Sequence, residues 1–275
     1  MHYRRMMAPK MCQGPRPLLS SVRRTIETHH RRMQLMKSKP ALPKEQKQAD
    51  APSQHTTFYG RDGLAAYTVD PASFPSSRVV YYNDKFVVIN DLFPKATVHL
   101  LILPRDPKKN VLRGQEAFDD VQFLAECREE EKKVRGIVAS ELRRRLGSSS
   151  AAEQSRNEAM NSDDPPDVLP AGRDWTKEII SGTHANPSMN HLHIHVLSRD
   201  MHSESMKKKN HYLSFTTDFL VPLDAYPLAA DDFRRDYRHF TVPDMRCWRC
   251  WKNFGNKMVQ MKAHLEAEYE EWRRE

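Results

Sequence analysis

The sequence predicts an α+β domain with an antiparallel sheet, followed by a small metal-binding module. Short β-rich runs separated by turn-forming residues occupy 79–103, which is typical of antiparallel hairpins and not of a parallel βαβ sheet. Apolar residues at helical spacing follow over 116–146, and near the end Cys247 and Cys250 precede His264 at zinc-finger spacing. A length of 275 residues suits one main core with accessory segments.

The composition excludes several classes of protein. With 39% hydrophobic and 29% charged residues and a mean hydropathy of −0.76, part of the chain is expected to be solvated. The longest apolar stretch, 98–103, is far shorter than the roughly 18 to 20 residues that span a bilayer, so no membrane partner is expected. The nine glycines form neither of the Gly-rich loops that commonly cradle phosphate, so side chains must hold any phosphate.

The positive charge is concentrated in an N-terminal tail, 1–56. Residues 1–50 contain twelve Lys/Arg and three Asp/Glu, which leaves 32 basic and 33 acidic residues for 51–275. A tail with this charge is typical of a tether to a polyanion. Two alternatives stay open: a disordered leader without a partner, and an organellar import signal, because 1–26 contains arginines and serines but no acid.

Regular elements follow the tail in order. Strands are expected at 79–82, 86–89 and 98–103, joined by short turns. The periodicity over 116–146 predicts one long helix, or two with a break. The segment 148–174 is rich in Ser, Ala, Asn, Asp and Pro, so it is expected to be a flexible insertion without regular structure.

Three histidines alternate with aliphatic residues over 191–197, at His191, His193 and His195. In a strand, alternate side chains share a face, so the imidazoles would lie together while the aliphatic residues enter the core. Packing alone does not explain this choice, because clustered imidazoles repel each other once one is protonated. A three-histidine zinc site is an alternative, but residues two apart on a strand have Cα atoms roughly 6.5 to 7 Å apart, which makes convergence on one ion awkward.

This histidine pattern, with Ser188 three residues before it, resembles the signature of the histidine-triad superfamily of nucleotidyl hydrolases and transferases. Further segments narrow the resemblance to the aprataxin family, which hydrolyses DNA adenylates in strand-break repair. These segments are Phe93-Pro94-Lys95 before Val98-His99-Leu100, His184-Ala185-Asn186-Pro187-Ser188-Met189, Lys207 with His211-Tyr212-Leu213-Ser214-Phe215, and Arg246-Cys247-Trp248-Arg249-Cys250. The resemblance covers 57–275 apart from the insertion, and the basic tail stands where some members carry a forkhead-associated domain.

The resemblance implies a covalent mechanism. His193 would be the nucleophile that attacks the α-phosphorus of an adenylate, releases the 5′-phosphate of DNA and becomes a transient AMP-histidine that water hydrolyses. His195 and His184 would hold nonbridging or leaving-group oxygens. Ser188 would donate a hydrogen bond to the leaving phosphate.

Four further residues have supporting roles by the same resemblance. His99 and His191 would orient the nucleophile. Asp91, after the second strand, would accept hydrogen bonds from the ribose hydroxyls of AMP, although a turn-capping role is the alternative. Lys207 occupies the phosphate-binding lysine position of the family, so the histidines and this lysine would supply positive charge and the chemistry would need no metal.

DNA contact is implied at three places. The segment 57–64 falls where the family places a helix that wedges against the terminal base pair, although its two glycines weaken a helix there. Basic residues follow Lys207, and the finger carries aromatic and basic groups that would suit a DNA clamp or would pack the finger against the main domain. The residues assigned to DNA contact are Tyr59, Arg61, Lys208, Lys209, Trp248 and Arg249.

The C-terminal module is predicted to hold one structural Zn²⁺. Cys247, Cys250 and His264 have the spacing of a zinc finger. No histidine follows His264, so Glu268, four residues later and on the same helical face, is the fourth ligand that we expect. A reduced or redox-active cysteine pair is the alternative.

The resemblance as a whole implies an α+β histidine-triad fold with an antiparallel sheet and flanking helices, plus a small C-terminal zinc-finger module. The expected boundaries are 1–56 for the tail, 57–225 for the catalytic domain and 226–275 for the module. The expected activity is removal of AMP from 5′-adenylated DNA by a monomer in the nucleus, with a mitochondrial pool as a further option. The same site would also remove 3′-guanylate caps.

Two other functions compete with this one. A nucleoside phosphoramidase or dinucleoside polyphosphate hydrolase of the same superfamily would use the same histidines, but it would leave the finger and the tail without a purpose. A non-catalytic, zinc-dependent nucleic-acid-binding adaptor would not need His193 at all.

Overall fold

The computed structural model describes residues 60–236 and 241–275. The basic tail and Tyr59, to which the sequence assigned DNA contact, lie outside these ranges. The expected helix over 57–64 is not continuous in its described part, where a 3₁₀ turn over Gly60–Asp62 is followed by helix α1 at Ala65–Val69. Gly60 adopts a left-handed φ of 62°, a conformation that an α-helix does not accommodate.

The core is one antiparallel sheet of six strands in the order β1-β2-β3-β5-β4-β6, and a separate pair of strands, β7 and β8, belongs to the C-terminal module. The strands are β1 Val79–Tyr82, β2 Phe86–Asn90, β3 His99–Pro104, β4 Ile179–His184, β5 Ile194–Ser198, β6 Leu220–Val221, β7 Met245–Arg246 and β8 Asn253–Gly255. The predicted hairpins of the first three strands are confirmed, because β1 pairs with β2 and β2 with β3. The side chain of Asn83 closes the first turn by accepting hydrogen bonds from two backbone amides.

Helices cover both faces of this sheet. The remaining helices are α2 Gly114–Ala117, α3 Val121–Leu146, α4 Gln154–Met160, α5 Lys209–Thr216 and α6 Met258–Trp272. Helix α3 packs with Val88 and Ile102, whereas Tyr67 of helix α1 packs with the alternate residues Ile89 and Leu101. The break between α2 and α3 bears out the two-helix alternative, and Asp120 caps α3 by accepting from the amides of Gln122 and Phe123. Fully buried Val134, Val138 and Leu142 of α3 pack in one cluster with the sheet. No helix among the described residues is long and apolar enough to cross a membrane.

The expectation that 148–174 lacks regular structure was wrong for its first half. Two 3₁₀ turns and α4 form there, and the carboxylate of Glu153 is fully buried. This carboxylate accepts hydrogen bonds from the Arg143 Nε (2.9 Å), the Arg173 amide (3.2 Å) and the Trp175 Nε1 (2.7 Å). A buried charge with three donors anchors the segment to the core, and nothing in the local composition reports such long-range partners.

The same segment holds the end of the C-terminal module. The guanidinium of Arg173 lies 4.5 Å from the Trp175 ring centroid and 5.1 Å from that of Trp272, and Arg173 also donates to the Trp272 carbonyl (2.7 Å). Trp272 is buried at the end of α6, and its Nε1 donates to Glu178 (2.7 Å). The amide of Ala151 donates to the carbonyl of Arg274 (2.8 Å). The module is therefore packed on the insertion and the core together.

Candidate active site and zinc module

Three neighbouring strands bring histidine side chains close together. His99 begins β3, His184 ends β4 and His195 lies in β5, and β5 pairs with both of the other strands. The predicted strand over 191–197 begins only at Ile194, so His193 precedes it. The preceding segment is held differently, because the Leu192 amide donates to the Asn110 carbonyl (2.7 Å) and not to a neighbouring strand.

A cavity of about 780 Å³ lies over these histidines. Its polar lining includes His184, His193, His195, Asp91 and Ser188, and its apolar lining includes Leu64, Tyr67, Leu92, Phe93 and Met189. A cavity of this size with a few convergent polar groups is typical of a small-ligand site.

The backbone of His191 fixes the tautomer of the His193 ring. Its Nδ1 lies 2.7 Å from the His191 carbonyl oxygen, and since a carbonyl only accepts, Nδ1 carries the proton. Burial lowers the pKa of His193 below its usual value, which keeps the ring neutral. Its Nε2 therefore presents a lone pair. The ring of His191 itself is half-buried and does not line the cavity, so His191 contacts the His193 ring through its main chain.

His99 hydrogen-bonds to His195 and not to His193, the residue that it was predicted to orient. The Lys95 amide donates to the His99 Nδ1 (3.2 Å), and the His99 Nε2 lies 2.9 Å from the His195 Nδ1. His99 therefore carries its proton on Nε2 and donates to His195, whose own proton is then on Nε2. That Nε2 is buried and has no partner among the described residues, which leaves it free to donate to an oxygen of a bound ligand.

Burial keeps this group of imidazoles uncharged. It lowers the pKa of His99 to about 4 and that of His184 to about 3, and it lowers the pKa of His195 well below its usual value. Neighbouring imidazoles act in the same direction, whereas Asp91 opposes the shift of His99. The imidazoles therefore present uncharged nitrogens to the cavity, and the charged groups of its lining are Asp91, Lys95 and Arg78.

Asp91 lies directly after β2 at the rim of the cavity. One carboxylate oxygen accepts from the Phe93 amide (2.7 Å), and the other lies 3.5 Å from the His99 Nε2. The ligand atoms of Asp91, His99 and His195 all fall within 4.8 Å of one another. Both nitrogens of His99 already take part in hydrogen bonds, so a metal there would displace the contacts that set the tautomers.

Two cationic side chains line the cavity, Lys95 and Arg78, and the sequence predicted neither of them there. Arg78 donates to the Tyr67 hydroxyl and to the Asn90 carbonyl. Lys95 lines the cavity, and burial lowers the pKa of its ammonium while Asp91 opposes that shift. The predicted phosphate-binding residue, Lys207, is not among the residues that line it, although its amide donates to the His211 Nδ1 (3.3 Å). The Phe93-Pro94-Lys95 motif before β3 is the sequence signal that could have located Lys95.

The four predicted zinc ligands converge in the C-terminal module. The ligand atoms of Cys247, Cys250, His264 and Glu268 lie within 4.8 Å of one another. The Cys250 Sγ is 3.1 Å from the His264 Nε2, which is 3.2 Å from a Glu268 oxygen. Two thiols, an imidazole and a carboxylate fit a tetrahedral structural zinc site. The knuckle turns at Trp251, whose φ is 63° and whose amide donates to the Cys247 carbonyl (3.0 Å).

Trp248 and Arg249 are engaged within the protein. The Trp248 Nε1 donates to the Asp200 carbonyl (3.3 Å), and the Arg199 guanidinium lies 4.7 Å from its ring centroid. Arg249 donates to Glu268 (2.6 Å) and pairs with the carboxylate of Glu275. Trp248 therefore packs the finger against the main domain, which was the alternative to DNA contact. Arg249 orients Glu268, a predicted zinc ligand.

The other predicted DNA contacts lie at the surface. Arg61 is exposed and lines a second, smaller cavity. Lys208 is exposed just before α5, and Lys209 bonds to the side chain of Asn256 in the module. Trp251, another aromatic group of the knuckle, is 71% exposed.

Comparisons with known proteins match this architecture. The family model described as HIT domain matches residues 75–202, and the one described as C2HE / C2H2 / C2HC zinc-binding finger matches 216–271. An aprataxin-like protein of Schizosaccharomyces pombe is 32% identical over 81% of this chain and 87% of its own length. An aprataxin-like protein of Saccharomyces cerevisiae is 33% identical over 76% of this chain and 95% of its own length.

A solved structure of the aprataxin orthologue Hnt3 from Schizosaccharomyces pombe superposes with a TM-score of 0.59 at 30% identity, covering 80% of this chain and 97% of that one. A structure of Hnt3 in complex with DNA gives the same TM-score and covers 77% of this chain and 96% of that one. Three findings agree: the order of the two domains, the sequence identity over nearly the whole length of the yeast relatives, and the shared fold. They show that the chain belongs to the aprataxin family.

Proposed function

We propose that this protein hydrolyses DNA 5′-adenylates, removing AMP from abortive ligation intermediates through a covalent AMP-His193 intermediate. The observation that carries the mechanism is the hydrogen bond between the His193 Nδ1 and the His191 carbonyl (2.7 Å). It fixes the tautomer that exposes the Nε2 lone pair to a buried cavity.

The reaction divides into two displacements at one phosphorus. In the first, the His193 Nε2 bonds to the α-phosphorus and the bond to the bridging oxygen breaks, so the DNA leaves with its 5′-phosphate. In the second, water bonds to the phosphorus, the P–N bond breaks and AMP departs, which returns a neutral His193. Two lower barriers thus replace one higher barrier.

The other groups of the cavity stabilise the charge that builds on phosphate oxygens. The free Nε2–H of His195 donates to a nonbridging oxygen, and Lys95 supplies the cation. Ser188 and His184, which both line the cavity, are assigned to the leaving phosphate and to a further oxygen. Asp91 is assigned to the ribose hydroxyls, and the apolar wall to the adenine.

The proposal also includes one structural zinc ion in the module. The reaction itself is proposed to need no metal ion. The donors Cys247, Cys250, His264 and Glu268 would hold this ion and fix the fold of the module. The proposed partners are nicked or 5′-adenylated DNA and AMP as product, and the proposed state is a monomer. The proposed boundaries are 57–225 for the catalytic domain and 226–275 for the module.

Two further proposals rest on the relatives. A structure of Hnt3 in complex with DNA and guanosine superposes with a TM-score of 0.58 at 31% identity, which supports removal of 3′-guanylate caps at the same site. Membership of a family that acts in DNA repair supports a nuclear location, and a mitochondrial pool is the secondary proposal.

The test compares nicked duplex DNA that carries a 5′-adenylate with AMP-lysine and diadenosine tetraphosphate. Wild-type protein should prefer the DNA, and His193→Ala should lose about 10⁴-fold or more of kcat/KM on each substrate because the covalent nucleophile is gone. His202→Ala is the matched control, since this histidine does not line the cavity.

Each alternative function has its own outcome in this test. A preference of the wild type for the small nucleotides would favour the phosphoramidase or polyphosphate hydrolase. A His193→Ala variant as active as wild type would exclude the covalent mechanism and favour a non-catalytic adaptor.

A further inference from the structure

A second cavity of about 230 Å³ meets the first one at the nucleophile. His184, His193 and Met189 line both cavities, so these side chains form the wall between them. The smaller cavity is also lined by Arg61 and Arg113, and its described lining contains no carboxylate. It is therefore a cationic recess beside the reacting group.

The two arginines of this cavity differ from most others in the described chain. Arg128, Arg135 and Arg143, for example, donate to carbonyls or side chains of the protein. The guanidinium groups of Arg61 and Arg113 form no ion pair and donate no hydrogen bond to a described residue, and both residues are exposed. A guanidinium without a protein partner is available for an anion.

The backbones that carry these arginines are nevertheless fixed to the histidine segment. The Asn110 carbonyl, three residues before Arg113, accepts from the Leu192 amide (2.7 Å), and the Arg61 carbonyl accepts from the Asn190 amide (2.9 Å). Asn190 also donates from its side chain to Asp62 (2.7 Å). Both guanidinium groups are thus carried by loops that are hydrogen-bonded to the residues next to His193.

Gly114 fixes the approach of the same loop to the core. A Cβ at this position would lie 2.8 Å from the Thr183 Oγ1 and 3.0 Å from the Tyr226 OH. Only glycine permits this close packing, so the backbone of its neighbour Arg113 is held at the mouth of the cavity while the side chain stays free.

We infer that the smaller cavity binds a backbone phosphate of the DNA strand next to the adenylated end, with Arg113 as the residue that distinguishes DNA adenylates from small adenylates. The inference rests on the proposed DNA-adenylate activity. AMP is assigned to the larger cavity, so the smaller cavity is the cationic recess that adjoins the reacting phosphate. A guanidinium fork matches two phosphate oxygens, and Arg61 adds a second cation to the same recess.

The experiment measures kcat/KM of wild type and Arg113→Gln on nicked 5′-adenylated duplex and on AMP-lysine, which has no second phosphate. We expect the variant to lose about tenfold or more on DNA, the range of a lost charge-assisted hydrogen bond, and less than about twofold on AMP-lysine. The salt dependence of DNA binding should also weaken by about one phosphate contact. Lys108→Gln is the matched control, because Lys108 is exposed, is close by on the same loop and does not line the cavity.

Three results would overturn the inference. These are equal losses on both substrates, an unchanged value on DNA, and a Lys108→Gln variant that loses as much as Arg113→Gln. Arg113→Lys should recover part of the DNA activity because it restores the charge without the fork, and an unchanged melting temperature of Arg113→Gln shows that its fold is intact. Failure of the proposed function itself is visible separately, since wild type would then hydrolyse AMP-lysine but not the DNA adenylate.

Discussion

The histidine cavity and the zinc module both concentrate metal-ligating side chains, but they use them in opposite ways. In the cavity, His193 and His195 are buried and His184 is half-buried. Burial lowers the pKa of all three, and hydrogen bonds to backbone and imidazole groups set the tautomers of His193 and His195. In the module, His264 lies against a thiol and a carboxylate. Imidazoles held among neutral groups keep lone pairs and protons for chemistry, whereas imidazoles held among anionic donors serve an ion.

Removal of zinc should give the largest difference between the two regions, because it should affect the module much more than the histidine cavity. Structural zinc contributes about 10 kcal/mol or more to the folding of finger peptides, so Cys250→Ser or a strong chelator should unfold the module. We expect hydrolysis of 5′-adenylated DNA to be lost and hydrolysis of AMP-lysine to fall much less, measured by kcat/KM with zinc content followed in parallel. An equal loss on both substrates would mean that the cavity depends on the metal as well.

Substitution of two lysines, one at a time, would show which of them acts at the cavity. Lys95→Ala should lower kcat by about 10²- to 10³-fold, the range seen when one group that stabilises transition-state charge is removed. Lys207→Ala should have a smaller effect, because Lys207 does not line the cavity. The measurement is single-turnover hydrolysis of the DNA adenylate. A larger loss in Lys207→Ala than in Lys95→Ala would show that the loop closes over the substrate and would restore the role that the sequence suggested.

Acid should weaken the fold through the buried imidazoles. The pKa of His99 is about 4 in the folded protein and about 6.5 in an unfolded chain. At pH 5 the unfolded state therefore binds a proton that the folded state does not, so stability is complete above pH 6.5 and declines as the pH falls toward 4. We expect His99 to account for about 2 kcal/mol of this loss at pH 5.

The measurement for this effect is urea unfolding between pH 7.5 and pH 5 with zinc content monitored, since acid also protonates zinc ligands. His99→Gln should show a shallower decline than wild type. Identical slopes for the two proteins would assign the loss to other groups.

The sequence predicted what depends on local spacing. The hairpins of β1 to β3 follow from β-rich runs and turns, and the convergence of Cys247, Cys250, His264 and Glu268 follows from their spacing on a knuckle and a helix. The histidine pattern likewise placed His193 and His195 in one cavity.

What the sequence did not predict depends on contacts between distant segments. The Glu153 carboxylate has partners ten to twenty-two residues away. The polar composition of its own segment therefore did not indicate that this side chain is buried. The position of Lys95 relative to Lys207 depends on how two loops approach the same strand ends. The start of β5 at Ile194 depends on a hydrogen bond from Leu192 to another loop, which no alternation of residue types can indicate.

The contacts of Arg173 with Trp175 and Trp272 bear on how the protein would find a break in DNA. This packing favours one orientation of the module, so the distance from His193 to the knuckle is fixed. Under the proposed function, only a strand end that can bend or open to span both points would reach the histidines. Intact duplex would then be rejected by geometry before any chemistry begins.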